Sequence, residues 1–557
     1  MKRVFDFVIA GAGSAGCVLA KRLSQEQNAT VCLIEAGGSG RSLFASMPCG
    51  NGFMFGNPRF DWCLKSVPQS SLNGRQIHYP RGKGLGGSSL INGMIYIRGT
   101  ASDYDRWYKR GLNGWSYRDV LPYFRRSAAA FHRVDDPYHD TVAPLKVMPA
   151  GNYETLNERF VEAARQAGNP LNLDFNGATQ RGVGQVDVTV WNGRRQSTRE
   201  TYLRSPPPNL TVLTKSRVLK IKVENNRACA LEVDTGNVYA EKEIIICLGA
   251  FGSPQILMLS GIGPASHLKE VRIPVIHNLA GVGSSLYDHP QMPIKFEITD
   301  PSLSLSRYQR ADRAVAMGMR YLLFRDGPAA APFWSSVLFH SLRDLDNPEL
   351  EIYMTPMCVK DDDAKWHLTA ENLFNIGNLL VNRGKSALPG IQFEVNVNRP
   401  KSFGTVRLAS DDPFAIPRID PAWFTEPTDM KDIIAGLREV RHICAQASLK
   451  DIIAKEISPG VIAQSDSELD MAVRNAVSTG HHPVSTCPMG TDDDRFAVLD
   501  EKLRVKGIDA LRVVDASSFP AQIGGNTNAA VIMLAEKAAD MILERTPPVA
   551  KTPGEYQ

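Results

Sequence analysis

The sequence runs to 557 residues, too long for one hydrophobic core, so roughly two to four folding units are expected. With 43% hydrophobic and 22% charged residues it excludes a disordered chain, a collagen-like repeat and a membrane bundle. The 63 basic and 59 acidic side chains leave a formal net charge of +4 and no long basic run, which excludes a nucleic-acid surface and points to small-molecule partners.

Lys2 and Arg3 followed by an apolar stretch to Ala20 imitate a secretory leader, but Asp6 and three glycines interrupt it. The segment reads instead as a strand over residues 4–10 (VFDFVIA), a turn carrying Gly11, Gly13 and Gly16, and apolar positions at helical spacing from Cys17 to Leu23. A second β run, Thr30 to Ile34, ends at Glu35. Strand, turn, helix and strand within about thirty residues make a parallel βαβ unit. In GAGSAG (Gly11 to Gly16) the first glycine permits the tight turn, the second lets backbone approach a pyrophosphate, and the third lets helix and strand pack closely. Alone this is a Gly-rich turn. With Glu35 ending the next strand, where a carboxylate accepts from adenosine ribose hydroxyls, it predicts dinucleotide binding without separating NAD from FAD.

The stretch YPRGKGLGGSSLINGMIYIRG (Tyr79 to Gly99) holds more glycine than a helix or strand tolerates, so it is an irregular loop close to something, and a second such loop suits a cofactor as large as FAD. A short helix is expected over Tyr117 to Ser127. Leu210 to Ile246 alternates as strands do in LTVLTKSRVLKIKV and KEIIICLGA, which rejoin the first sheet and make the dinucleotide domain discontinuous. GAFGSPQILMLSGIGP (Gly249 to Pro264) follows, with Ser253-Pro254 read as a helix start; direct cofactor contact and a purely structural turn stay open there. Gly249, Gly252, Pro254 and Gly261 also break the apolar run from Ile244 to Ile262, so no membrane span is expected.

From about residue 296 to 475 the pieces LEIYMTP, IQFEVNVNR and GTVRLA suggest a second domain on an antiparallel sheet, covering the cofactor. STGHHPVSTCPMG (Ser478 to Gly490) offers two histidines before a proline; extended geometry there would turn their side chains to opposite faces, so only one meets a given site. Such a base suits removal of a hydroxyl proton. The chain closes with LRVVDASSF as a strand, Gly524 to Asn528 leading into an amphipathic helix over Asn528 to Leu543, and a loose tail. That last helix start suits the negative charge of a reduced flavin. The nine cysteines are scattered and without metal-ligand spacing, which predicts reduced thiols, no metal and a cytoplasmic location.

Taken together, these motifs in this order resemble the glucose-methanol-choline oxidoreductase family over nearly the whole chain. The resemblance implies an α/β fold: a Rossmann-like FAD-binding domain, discontinuous over 1–150, 208–295 and 476–545, and a second α+β substrate domain over 151–207 and 296–475, with a tail at 546–557. It implies FAD contacts at Gly11, Gly13, Ser14, Ala15 and Gly16, at Glu35, Ala36 and Trp62, and at Arg81, Gly82, Gly86, Gly87, Ser88, Asn92, Gly93, Met94 and Ile95. Further contacts fall on Val218, Gly249, Ala250, Asp515, Ala516, Asn526, Thr527 and Asn528. By the same resemblance His482, which directly precedes Pro483, is the base near flavin N5 and Asn526 fixes the substrate oxygen.

Three departures stand out. Ile91 replaces the histidine that links covalently to flavin in some members, so FAD is expected without a covalent bond; Ser485 replaces the glycine of His-Pro-x-Gly-Thr; and HDTVAPL (His139 to Leu145) lacks the usual glycines. The expected reaction is oxidation of a primary alcohol to a carbonyl, with oxygen or a quinone-like carrier as electron acceptor. Phe333, Trp334, Phe339 and Trp366 are candidates to line the alcohol pocket. The alternatives are a hydroxynitrile lyase on the same fold and a non-catalytic flavin-binding protein.

Overall fold

The computed structural model describes residues 3–151, 155–309, 311–359 and 387–556. Two seven-stranded sheets organise them. In the first, Leu210–Leu213, Val31–Ile34, Arg3–Ala10, Val238–Ile246 and Leu511–Val513 run parallel side by side. An antiparallel ribbon, Val218–Glu224 and Arg227–Val233, extends this sheet beside Val238–Ile246. The parallel strands read as unbroken apolar runs because helices cover them, and Ile9, Leu33, Ile245 and Val513 are fully buried. Their register aligns Ala10 with Ile34 and Ile246, and Ile246 with Val513. Gly11, Glu35, Cys247 and Asp515 thereby emerge at one carboxyl edge, where ligands of open α/β sheets bind.

Helix Ser14–Leu23 packs against Asn528–Ile542. The latter is buried all round rather than amphipathic: Ala529 to Asp540 are all shielded. Its polar residues are matched individually. Arg22 donates two hydrogen bonds to Glu536, both 2.8 Å, Tyr202 donates a third at 2.9 Å, and the Lys537 ammonium lies 5.0 Å from the centre of the Tyr123 ring. The tail is also tied down, with Lys551 N–H donating to the Arg118 carbonyl.

Helix Gly249–Leu259 begins before Ser253-Pro254, so Pro254 stands inside it. A proline there strips the Ala250 carbonyl of its helical donor, and the Thr486 hydroxyl replaces it at 2.6 Å. The helix start is instead held by Asp515, which accepts from Gly249 N–H at 2.8 Å.

The second sheet is wholly antiparallel, in the order Ile453–Ser458, Pro290–Ile298, Gly390–Val397, Leu350–Thr355, Ser336–His340, Gly182–Gln185, with Ser478–Thr479 beside Pro290 and Gln291. Pro290–Ile298 thus belongs with this sheet, ahead of the boundary expected at 295. Both faces are buried, but they differ in kind. One carries Met292, Ile294, Leu350, Ile352, Phe393 and Val395 against helix Pro427–Cys444. Period-two alternation puts Lys295, Glu351, Tyr353, Gln392, Glu394 and Asn396 on the other. A buried polar sheet face is costly unless it is hydrogen-bonded or functional.

Candidate active site

The carboxyl edge of the first sheet opens onto a cavity of about 520 Å³ lined by residues of both sheets. All the expected cofactor residues line it except Gly16 and Gly86. Those two act on backbone packing. A Cβ on Gly16 would stand 1.9 Å from the Gly11 carbonyl oxygen, and Gly86 takes φ +104° and donates to the Ala12 carbonyl at 2.7 Å. The two Gly-rich loops touch directly, since a Cβ on Gly87 would lie 2.6 Å from the Gly13 Cα.

Glu35 joins these loops. Its carboxylate accepts from Ala12 N–H (3.0 Å), Gly37 N–H (2.7 Å) and Gly84 N–H (3.0 Å), while burial pushes its pKa upward against those three donors. A carboxylate has room for about four such bonds, so one position is left for a ligand hydroxyl. Two helix N-termini also face the cavity. Neither Ser14–Leu23 nor Asn528–Ile542 has a side-chain cap or an acidic residue in its first turn, which leaves free N–H groups for anionic groups. The Ser14 hydroxyl binds Asn528 Oδ1 at 2.6 Å and holds the two starts together. Arg195, fully buried, donates to the Asn92 carbonyl (2.6 Å) and Oδ1 (2.7 Å) and fixes the second loop. This donor set suits an elongated dinucleotide with a pyrophosphate.

At the other end stands His482. Its backbone N–H donates to Asp288, its carbonyl accepts from Gln522, its Nε2 lies 2.9 Å from Asn526 Nδ2, and its Nδ1 lies 3.0 Å from His289 Nδ1. Burial, with His289, His481 and Arg81 adding positive character, pushes His482 well below the usual histidine range, so its imidazole is neutral. The face argument for the histidine pair does not hold. His481 takes φ +67°, outside extended geometry, and both residues line the same cavity. They differ in contacts: the His481 ring lies 6.0 Å from that of Phe55, its carbonyl accepts from Arg81, and its Nδ1 has no partner. Ser485 has φ +68°, a conformation a glycine adopts freely.

Ile91 lines the cavity, 2% exposed, and offers no nucleophile. Of the aromatic candidates, Trp334 lines the cavity, Phe339 and Phe333 pack in hydrophobic clusters, and Trp366 lies outside the described residues. Sequence reading missed His289, Glu351, Tyr353 and Glu394. The signal was there: His289 precedes a proline as His482 does, and the acidic residues interrupt strands with no exposed face.

A parallel sheet with Gly-rich turns at its carboxyl edge, an antiparallel second sheet and one cavity lined by both fit a flavin-dependent oxidoreductase. Profiles described as GMC oxidoreductase match residues 5–291 and 400–535, and the chain belongs to this family. It is 38% identical to an oxygen-dependent choline dehydrogenase of Photobacterium profundum over 98% of this chain and 94% of that one. It is 37% identical to its counterpart in Vibrio vulnificus, covering 98% and 96%. Among solved structures, pyridoxine 4-oxidase from Mesorbium loti superposes with a TM-score of 0.84 at 29% identity, covering 97% of this chain and 100% of that one. A formate oxidase gives 0.87 at 26%, covering 98% of each. The protein is an FAD-dependent oxidoreductase acting on CH–OH donors.

Acid precipitation should therefore release the yellow cofactor, because Ile91 cannot anchor it. Glu35→Gln should weaken FAD binding by about tenfold or more, since an amide NH₂ faces backbone donors it cannot accept from. Turnover per bound flavin should stay within about threefold, because among the described residues Glu35 shares no hydrogen-bond partner with His482 or Asn526. Fluorimetric FAD titration checks this, and unchanged affinity would remove Glu35 from the cofactor site.

Proposed function

We propose that this enzyme oxidises a primary alcohol to its aldehyde, with His482 as base and Asn526 holding the substrate oxygen. The observation that carries the reading is the 2.9 Å approach of His482 Nε2 to Asn526 Nδ2 on the cavity wall. FAD, when bound, supplies the hydride acceptor, N5 of its isoalloxazine ring. A substrate hydroxyl that takes the place of this contact donates its proton to the neutral Nε2 and accepts from Nδ2, which aligns the carbinol C–H for transfer.

Choline, named for the relatives, is the substrate proposed here. Glu394 supports it: the side chain lines the cavity, accepts from Trp334 Nε1, Thr355 Oγ1 and Gln392 Nε2, and is pushed by burial up to about 7. A buried carboxylate beside the indole of Trp334 suits a quaternary ammonium, which it attracts as counter-charge and the ring as a cation–π partner. Oxygen, also in the relatives' name, is the proposed acceptor.

The test is anaerobic reduction of the bound flavin by choline and by its uncharged carbon isostere, 3,3-dimethylbutan-1-ol, followed by air. Choline should bleach the flavin, and air should restore the colour. Glu394→Gln should raise the KM for choline by about tenfold, the scale of one desolvated cation contact, and leave that for the isostere within about twofold. A flavin that no alcohol bleaches sinks the mechanism, whereas equal effects on both alcohols sink only the choline assignment.

A further inference from the structure

Beyond the His482–Asn526 pair the polar groups continue in one buried line. Asn526 Oδ1 lies 3.0 Å from the Tyr353 hydroxyl, and that hydroxyl also contacts Glu351 Oε1. On the other side His482 Nδ1 meets His289 Nδ1 at 3.0 Å. Glu351 and His289 are fully buried, and Glu351 Oε2 and His289 Nε2 have no hydrogen-bond partner. Carboxylate oxygen and ring nitrogens of Glu351, His289 and His482 all lie within 4.8 Å of one another.

Each hydrogen bond in such a line needs one donor and one acceptor, so its members cannot choose independently. We propose that Glu351 and Tyr353 are positioning residues whose shared proton sets the direction of every hydrogen bond from Glu351 to His289, and so decides whether His482 Nε2 carries a lone pair or a proton. The inference rests on His482 being the base.

Two arrangements satisfy the line. In the first, Glu351 is protonated and donates to the Tyr353 oxygen; Tyr353 donates to Asn526 Oδ1; Asn526 Nδ2 faces His482 Nε2, which accepts; and His482 Nδ1–H donates to His289 Nδ1. His482 is then a competent base. In the second, Glu351 has lost its proton to solvent and takes the Tyr353 hydroxyl proton as its hydrogen bond. Asn526 turns its amide so that Nδ2 donates to Tyr353 and Oδ1 faces His482, which must answer with Nε2–H. His289 Nδ1–H then donates to His482 Nδ1. Both imidazoles stay neutral and exchange tautomers, so exactly one proton leaves the line, and His482 cannot accept from a substrate.

Burial pushes Glu351 up to about 8, which favours the first arrangement at neutral pH and the second above it. The groups facing Glu351 are Tyr353 on its own strand, Arg399 after the neighbouring strand, and His289 and His482. Glu394 stands opposite Tyr353 in the register, and Arg399 is itself paired with Asp103 at 3.1 Å.

The experiment is anaerobic single-turnover flavin reduction of the holoenzyme from pH 6 to 10, with bound-FAD absorbance confirming an intact fold in each variant. Wild-type reduction should fall by about 100-fold toward pH 10, the scale of losing a general base. Glu351→Gln, whose NH₂ donates to Tyr353 and cannot ionise, should match the wild-type rate at pH 7 within about threefold and lose the alkaline fall. Tyr353→Phe, which cuts the line, should be slower by about tenfold at pH 7 and also flat. A Glu351→Gln enzyme that keeps the wild-type alkaline fall, a flat wild-type profile, or a Tyr353→Phe enzyme at full speed overturns the proposal. A wild type that no alcohol reduces overturns the base reading instead, so the two failures are distinguishable.

Discussion

Replacing His482 by alanine should slow flavin reduction by about 100-fold or more while leaving FAD bound, the scale of losing a general base. The reason is positional. Among the described residues His482 is the one histidine whose Nε2 meets Asn526; Asp288 and Gln522 hold its backbone and His289 holds its ring in that attitude. Asn526→Ala should cost about tenfold, because it removes one hydrogen bond and an aligned geometry but keeps the base. His481→Ala should cost less than either, since its ring contacts Phe55 and leaves its Nδ1 unpartnered. Anaerobic stopped-flow reduction isolates this step from product release and reoxidation. If His481→Ala proved the more damaging of the two histidine changes, the assignment of the base to His482 would have to be given up.

Asp515→Ala should be the most destabilising of the single changes considered, by about 4 kcal/mol, with loss of FAD binding. The carboxylate accepts from Gly249 N–H (2.8 Å), Ser253 Oγ (2.6 Å), Ser517 N–H (2.8 Å) and Ser517 Oγ (2.6 Å), and is 4% exposed. Alanine leaves the buried Ser517 N–H and the half-buried Gly249 N–H without their acceptor, at about 1–3 kcal/mol each, while the hydroxyls can rotate to other acceptors. It also unties helix Gly249–Leu259 from the turn that follows strand Leu511–Val513, where Gly249 and Asp515 both line the cavity. Ser253→Ala is the control: three of the four bonds to Asp515 survive and the one that Ser253 accepts from Leu248 N–H is also lost, so about 2 kcal/mol is expected. Urea unfolding with and without added FAD measures both. Equal costs for the two variants would mean that Asp515 does not hold this junction.

The cofactor half of this protein was written in local chemistry, which is why the sequence disclosed it. Gly11, Gly13 and Glu35 report a turn and a strand end, and backbone sterics within a few residues dictate such features whatever packs around them. The same holds for the helix Tyr117–Ser127, whose capping pair Ser116 and Asp119 lies within its first turn. Tertiary structure decided the rest. Pro254 sits inside a helix only because Thr486, distant in sequence, satisfies the carbonyl it frees. The last helix is buried on every side because Arg22 and Tyr202 reach Glu536 from elsewhere in the chain. His481 escapes the alternation that its sequence suggests by taking a left-handed φ. Glu351 and Tyr353 become neighbours of His482 and Asn526, and Glu394 comes to line the same cavity, through strand register and the meeting of the two sheets. No local pattern carries that information, because register and sheet apposition are settled by the packing of whole faces and not by the residues that end up touching.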